Sequence, residues 1–219
     1  GAAAITLEPG GQLELSGAPL QTIHETQDEL NEHLHQLGQV CRDLDIAFLG
    51  IGVQPKWLFQ EIPWMPKGRY RVMREYLPTR GQLSLDMMTR TTTVQANLDY
   101  ADEQDMVRKF RLMMAVQPIV TALFANSPFI DGKPNGFRSY RAHIWQHTDP
   151  DRCGVLPFVF DPGFGFERYM EYALNVPMLF YYRQGRYLPA GGVPFGQFLA
   201  GRFPPLPGQL PTLDDWALH

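Results

Sequence analysis

The residues best suited to chemistry in this chain are acids, amides and guanidinium groups. Glu8 and Glu14 flank the turn Pro9-Gly10-Gly11, and a tight reversal there brings two carboxylates toward each other from neighbouring strands. Hard cations such as Mg2+ take carboxylate oxygens, and phosphate chemistry recruits such cations. Two glutamates beside a turn are also ordinary for a solvated hairpin, so alone they assign nothing. Thr91 to Tyr100 reads T-T-T-V-Q-A-N-L-D-Y. Its alternation is that of a β-strand, with Val94, Ala96 and Leu98 on one face and Thr93, Gln95 and Asn97 on the other. One face of such a strand packs a core; the other meets either solvent or a polar ligand. Arg69, Arg74, Arg138 and Arg141 stand beside aromatics in segments rich in Pro and Gly. A planar guanidinium suits two-point binding of carboxylate or phosphate, although surface ion pairing is the commoner role of any single arginine.

Other chemistries find no support in the spacing. The six histidines, His24, His33, His35, His143, His147 and His219, show no zinc-binding arrangement, and His33 and His35 diverge on a helix. Neither a GxSxG elbow nor a GxGxxG or GxxxxGK[ST] phosphate loop occurs, despite 20 glycines. Cys41 and Cys153 have no CxxC spacing, so reduced thiols in a cytoplasmic protein are expected. A net charge of -4 argues against nucleic acid as a partner. The absence of a long apolar run argues against a membrane span. With 219 residues, 44% hydrophobic and 19% charged, the chain has the composition of a globular domain able to bury a core.

The elements that must position these groups alternate without repeats. Ile5–Leu7 and Gln12–Leu15 read as short strands around the Gly10-Gly11 turn. Thr22 to Leu44 carries Ile23, Leu30, Leu34, Leu37, Cys41 and Leu44 near a helical period, and Thr22 with Glu25 forms a capping box. Phe48 to Val53 reads as a buried strand whose Gly50 and Gly52 permit close backbone approach. Pro63, Pro66 and Pro78 bracket a helix from about Gly68 to Tyr76. Asp102, with Asp105 three residues on, caps a long helix bent near Pro118, with Met113 and Met114 expected in the core. Val176 to Arg183 and Tyr187-Leu188 form a hairpin around Gln184-Gly185, and Leu210 to Trp216 leads into a further helix. The alternation over Thr92–Leu98 fits an antiparallel sheet better than a parallel one. The expected class is therefore α+β, an open antiparallel sheet with helices on one side and one catalytic face.

The runs ITLEPGGQLELSGAP, FLGIGVQPKW, MPKGRYRVMREYLP, LDMMTRTTTVQANLDY, ALFANSPFIDGKPNGF, RAHIWQHTDPDRCG and LPTLDDW closely resemble the glutamate–cysteine ligases of the plant and proteobacterial type. The resemblance extends over essentially the whole chain. It implies a glutamine-synthetase-like fold, of which residues 1–219 would be one domain-sized central piece of a longer catalytic domain. It also implies the activity, ATP-dependent joining of the glutamate γ-carboxylate to the amine of cysteine through an acyl phosphate, the first step of glutathione biosynthesis. ATP and Mg2+ are then expected, with glutamate, cysteine and ATP as small-molecule partners. Transferred to matching positions, Glu8, Glu14 and Gln95 resemble metal ligands, and Asn97 resembles a group facing substrate. Arg141 and Trp145 resemble the amino-acid pocket, and Arg69 a second cationic anchor for phosphate or the tetrahedral intermediate. Arg69 and Arg141 are the two expected catalytic residues.

Departures from the plant pattern carry consequences. Gln27, Ala190 and Pro205 stand where plant enzymes place cysteines of a redox switch, so that disulfide mechanism is not expected. Leu179 replaces a tyrosine, which leaves the amine acceptor open between cysteine and another amine. A non-catalytic amino-acid-binding module is the competing reading from a different class. If strands of the sheet lie outside these residues, exposed edges favour self-association, including a homodimer, and the isolated piece is expected to have little activity.

Overall fold

A computed structural model describes residues 3–219. Its elements run β1 (Ala4–Leu7), β2 (Leu13–Ser16), α1 (Ile23–Leu44), α2 (Gly68–Tyr76), α3 (Ser84–Arg90), α4 (Glu103–Leu123), β3 (Phe129–Ile130), β4 (Lys133–Pro134), α5 (Tyr140–Gln146), α6 (Phe166–Asn175), β5 (Phe180–Arg183), β6 (Arg186–Pro189), α7 (Phe195–Leu199) and α8 (Leu213–Ala217). Mixed helices and small antiparallel strands agree with an α+β class.

Local signals fold as their chemistry dictates. Thr22 accepts the Glu25 amide while the Glu25 carboxylate returns to the Thr22 amide, so α1 starts on a reciprocal cap. Asp102 accepts the Asp105 amide and starts α4, which continues through Pro118 to Leu123. Gln184 and Gly185, both at positive φ (52° and 75°), make the reversal between β5 and β6. Thr212 and Asp215 form a second reciprocal cap at α8. Methionine placement is mixed. Met114 packs against the cluster of Met106, Val159 and Phe164, whereas Met113 is exposed.

The expected open sheet is not present. Among the described residues the strands form three separate two-stranded hairpins, β1-β2, β3-β4 and β5-β6. Thr91 makes one antiparallel bridge to Val53, and the Thr92 amide donates to the Gly52 carbonyl. From Thr93 onward the segment has no ladder partner, and its apolar face is bare, with Val94 97% exposed. The physical reason is plain: alternation fixes which side chains share a face, but a strand also requires a backbone partner. The expected buried strand at Phe48–Val53 fails likewise, since Phe48 and Leu49 are exposed and nothing approaches Gly50. Only Gly52 meets a close neighbour, where an added Cβ would lie 2.6 Å from Asn126 Oδ1.

Packing concentrates in three clusters. Met178, Ala190, Phe195, Phe198 and Phe203 lie under the β5-β6 hairpin; Tyr70, Leu77 and Met88 join α2 to α3; Met106, Val159 and Phe164 hold α4 to the loop before α6. By contrast α1 buries none of its residues. Among the described residues no helix is long and apolar enough to cross a membrane.

Candidate active site

The β1-β2 register sets one wall of the site. Thr6 faces Glu14, and the Glu8 amide donates to the Gln12 carbonyl at 2.8 Å, so Thr6, Glu8, Gln12 and Glu14 share one face of the hairpin. Gln12 anchors that face to the end of α3, its amide donating to the carbonyls of Met88 and Thr91 at 3.1 Å each. Gly10 is required at the tip, because a Cβ there would overlap the Thr89 carbonyl oxygen. The Met65 amide donates to the Pro9 carbonyl, and Lys67 Nζ to the Leu7 carbonyl at 2.7 Å. Glu14 is exposed and accepts from the Ser16 hydroxyl at 3.0 Å.

These contacts seat the start of α2 beside the hairpin. Arg69, its second residue, lines a 320 Å³ cavity with Lys67, Gly68 and Tyr187. The neighbouring Tyr70, whose ring centre lies 5.3 Å from the guanidinium, holds Arg69 above the ordinary arginine value against desolvation, and the charge of Glu8 adds to the rise. Glu8 and Arg69, 61 residues apart in the chain (69 − 8), thus lie within electrostatic reach of each other without forming an ion pair among the described residues.

Arg141 and Trp145 sit one turn apart on α5. Ser139 caps the helix by accepting the Ala142 amide, and the buried Ser127 accepts the Arg141 amide at 3.1 Å, which fixes the helix start. The Arg141 guanidinium lies 5.5 Å from the centre of the Trp145 ring. Burial holds Arg141 below the usual arginine value. Its buried Nε and the buried Trp145 Nε1 have no hydrogen-bond partner in the chain, and no carboxylate pairs with Arg141 among the described residues. His33 Nδ1, the Tyr70 hydroxyl, Arg90 Nε and His219 Nδ1 are likewise buried without a partner, but only on Arg141 and Trp145 do two orphan donors lie on neighbouring side chains in cation–π contact.

Gln95 and Asn97 stand side by side, Gln95 Nε2 donating to Asn97 Oδ1 at 2.8 Å on an exposed segment. Among the described residues no hydrogen bond or ion pair joins either amide to Glu8, Glu14, Arg69 or Arg141. Two pairs are therefore formed, Arg141 with Trp145 and Gln95 with Asn97, while Glu8 acts on Arg69 through its charge alone, with no ion pair between them among the described residues. The hairpin is linked to the amide segment only through Gln12 and Thr91. No cluster of three or more acidic, imidazole or thiol side chains suited to a metal occurs among the described residues. A larger open cavity of 540 Å³ beside α4, lined by Glu103, Arg108, Arg111 and Phe164 among others, includes none of the expected site residues.

Sequence reasoning missed Gln12, Lys67 and Tyr187. Lys67 directly precedes Gly68-Arg69 and Gln12 follows Gly10-Gly11, so proximity to the turns was the available signal. Tyr187 had none, because it reaches Gly68 only through the tertiary fold.

Acidic, cationic and amide groups thus stand on short antiparallel elements and helix starts, without a phosphate loop. The model of glutamate-cysteine ligase family 2 matches residues 1–219, and the chain belongs to that family. Over its full length the chain is 61% identical to the chloroplastic glutamate–cysteine ligase of Brassica juncea and 61% to that of Arabidopsis thaliana, covering 43% and 42% of them. It is 59% identical to the chloroplastic ligase A of Oryza sativa subsp. japonica, covering 44% of it. The chain thus spans under half the length of these curated relatives. They also correct one expectation: the relatives are chloroplastic enzymes, which points to a plastid and away from the cytoplasm.

Proposed function

We propose that this chain supplies the amino-acid pocket and part of the cation site of a ligase that joins the γ-carboxylate of glutamate to the amine of cysteine, driven by ATP. The observation that carries the reading is Arg141. A half-buried guanidinium with an orphan Nε, stacked near an indole with an orphan N–H, is preorganised to receive a substrate carboxylate. Its donors gain a partner when substrate binds, and among the described residues no carboxylate pairs with it that would have to be displaced.

A carboxylate resists attack by an amine until one oxygen is made a leaving group. Phosphoryl transfer from ATP to the glutamate γ-carboxylate does this, and the cysteine amine then displaces phosphate through a tetrahedral intermediate. Arg69, with Lys67 beside it at the start of α2, would stabilise charge developing on the transferred phosphoryl group or the oxyanion. Glu8 and Glu14 share a hairpin face, which fits a divalent cation of the Mg2+ type that takes one or two carboxylates and completes its shell from water and phosphate. Bound there, the cation would offset triphosphate charge. Gln95 and Asn97 would meet polar groups of the substrates or the cation shell. The segment Thr93–Tyr100 would pair with strands elsewhere in the full ligase, making residues 1–219 one domain within a longer glutamine-synthetase-like catalytic domain.

ADP release by the full ligase polypeptide, followed with glutamate and cysteine present or withheld, tests the reading. Turnover requiring both amino acids is expected. Replacing Arg141 by Met is expected to raise the KM for glutamate roughly 10- to 100-fold, since a charge-assisted hydrogen bond contributes about 1.5–3 kcal/mol and 1.4 kcal/mol is tenfold. Turnover indifferent to glutamate, or an Arg141→Met enzyme with unchanged glutamate KM, would overturn it. Comparing cysteine with 2-aminobutyrate and glycine then fixes the acceptor.

A further inference from the structure

His143 and His147 lie outside the site described above, four residues apart at the end of α5. The sequence predicts no zinc-binding arrangement among the six histidines, but the fold differs at this pair: the spacing places both imidazoles on one face at the helix end, one turn apart. Their ring centres are 4.3 Å apart. The two rings are not free rotors. Phe137 stacks on His143 at 4.5 Å with its plane tilted by only 24°, and Tyr140 leans against the same ring at 5.3 Å. His147 Nδ1 lies 2.8 Å from the His143 carbonyl oxygen, which can only accept, so Nδ1 donates and Nε2 is left with its lone pair directed elsewhere. An imidazole held through one nitrogen by a backbone carbonyl, with the other nitrogen available, is the arrangement that metal-binding histidines adopt.

We propose that His143 and His147 form a two-imidazole site for a divalent transition-metal ion such as Zn2+ or Ni2+. Imidazole nitrogen selects this class over Mg2+, which prefers oxygen, so the site is chemically separate from Glu8 and Glu14. No third acidic, imidazole or thiol side chain joins the pair among the described residues, and water or an external ligand completes the coordination shell. His147 is exposed, which gives the ion an open approach. The ion would bridge the last turn of α5, the helix that also presents Arg141 and Trp145.

Calorimetric titration of the protein with Zn2+ alone, in the presence of excess Mg2+, is the test. One ion per chain at this site is expected, and His143→Asn and His147→Asn should each weaken binding at least tenfold. The paired control His33→Asn/His35→Asn on α1 should leave it unchanged. Circular dichroism without metal checks each variant's fold; because His147 is exposed, His147→Asn decides the matter should His143→Asn unfold. Broadening of the His143 and His147 imidazole resonances by substoichiometric Ni2+ provides a second readout. Zn2+ affinity untouched by either single substitution, or lost equally in the His33/His35 control, would show an adventitious ion only and overturn the proposal.

Discussion

Two desolvated arginines, the buried Arg90 and the half-buried Arg141, differ in whether the chain supplies their counter-ions. Arg90 is 3% exposed and has its counter-ions: it pairs with Asp86 at 3.1 Å and Asp131 at 2.6 Å and donates to the Trp57 carbonyl at 2.9 Å, although its Nε, like that of Arg141, has no partner. It clamps α3, the loop before α2 and the β3-β4 hairpin, where Asp131 adopts a left-handed conformation with φ of 53°. Arg141, on α5, is half-buried, and among the described residues no carboxylate pairs with it and none of its guanidinium nitrogens makes a hydrogen bond. A cation that has its counter-ions holds chain segments together. One that is desolvated without them waits for a ligand. The lesson is that partner accounting, rather than residue type or burial alone, separates the two roles.

The sharpest way to break this comparison is Arg90→Met. It leaves two carboxylates facing a site built for a cation, and removing one member of a buried pair costs about 3–5 kcal/mol. With Asp131 partly exposed, the lower end is expected, read as a drop in urea midpoint without a change in slope. Gly10→Ala tests whether the carboxylate hairpin is seated as described. The new methyl group meets the Thr89 carbonyl, and overpacking of this kind costs about 1–3 kcal/mol, again measured by urea unfolding. Arg141→Met should shift stability by less than about 1 kcal/mol, because no partner in the protein is orphaned, while glutamate affinity falls; equal losses of stability at Arg90 and Arg141 would erase the contrast.

The smallest effect concerns a half-buried, satisfied charge. Lys109, the Ala101 amide and Arg108 hold the Asp105 carboxyl down to about 2. Its folded value lies below the unfolded one, so the unfolded chain binds more protons between them. The contribution of Asp105 to the start of α4 is present above about pH 4, near the unfolded aspartate value, and is lost as pH falls through 2. An NMR titration of the Asp105 side chain should show its midpoint near 2, and Lys109→Met should move that midpoint up toward 3.8.

What was legible in the amino-acid sequence follows the range of the forces involved. The bounds of α2, the caps at Thr22 and Asp102 and the Gln184-Gly185 reversal rest on neighbours within a few residues, and each was readable. The ties that assemble the site are long-range, Gln12 to Thr91 across 79 residues and Lys67 to Leu7 across 60, and left no periodic trace. Thr91 to Tyr100 shows the boundary most clearly. Its alternation marked the amides Gln95 and Asn97 as neighbours, which they are, yet could not supply a paired strand. The orphan donors of Arg141 and Trp145 were likewise invisible, since an absent partner is a property of the folded surroundings.

The most direct test of the central claim, that Arg141 and Trp145 wait for a substrate carboxylate, is the Trp145 indole N–H resonance during a glutamate titration. A saturable shift is predicted in the native protein, absent in Arg141→Met and retained in a folded variant altered elsewhere on α5, such as His147→Asn. An indole signal that ignores glutamate, or that moves identically without Arg141, would contradict the account.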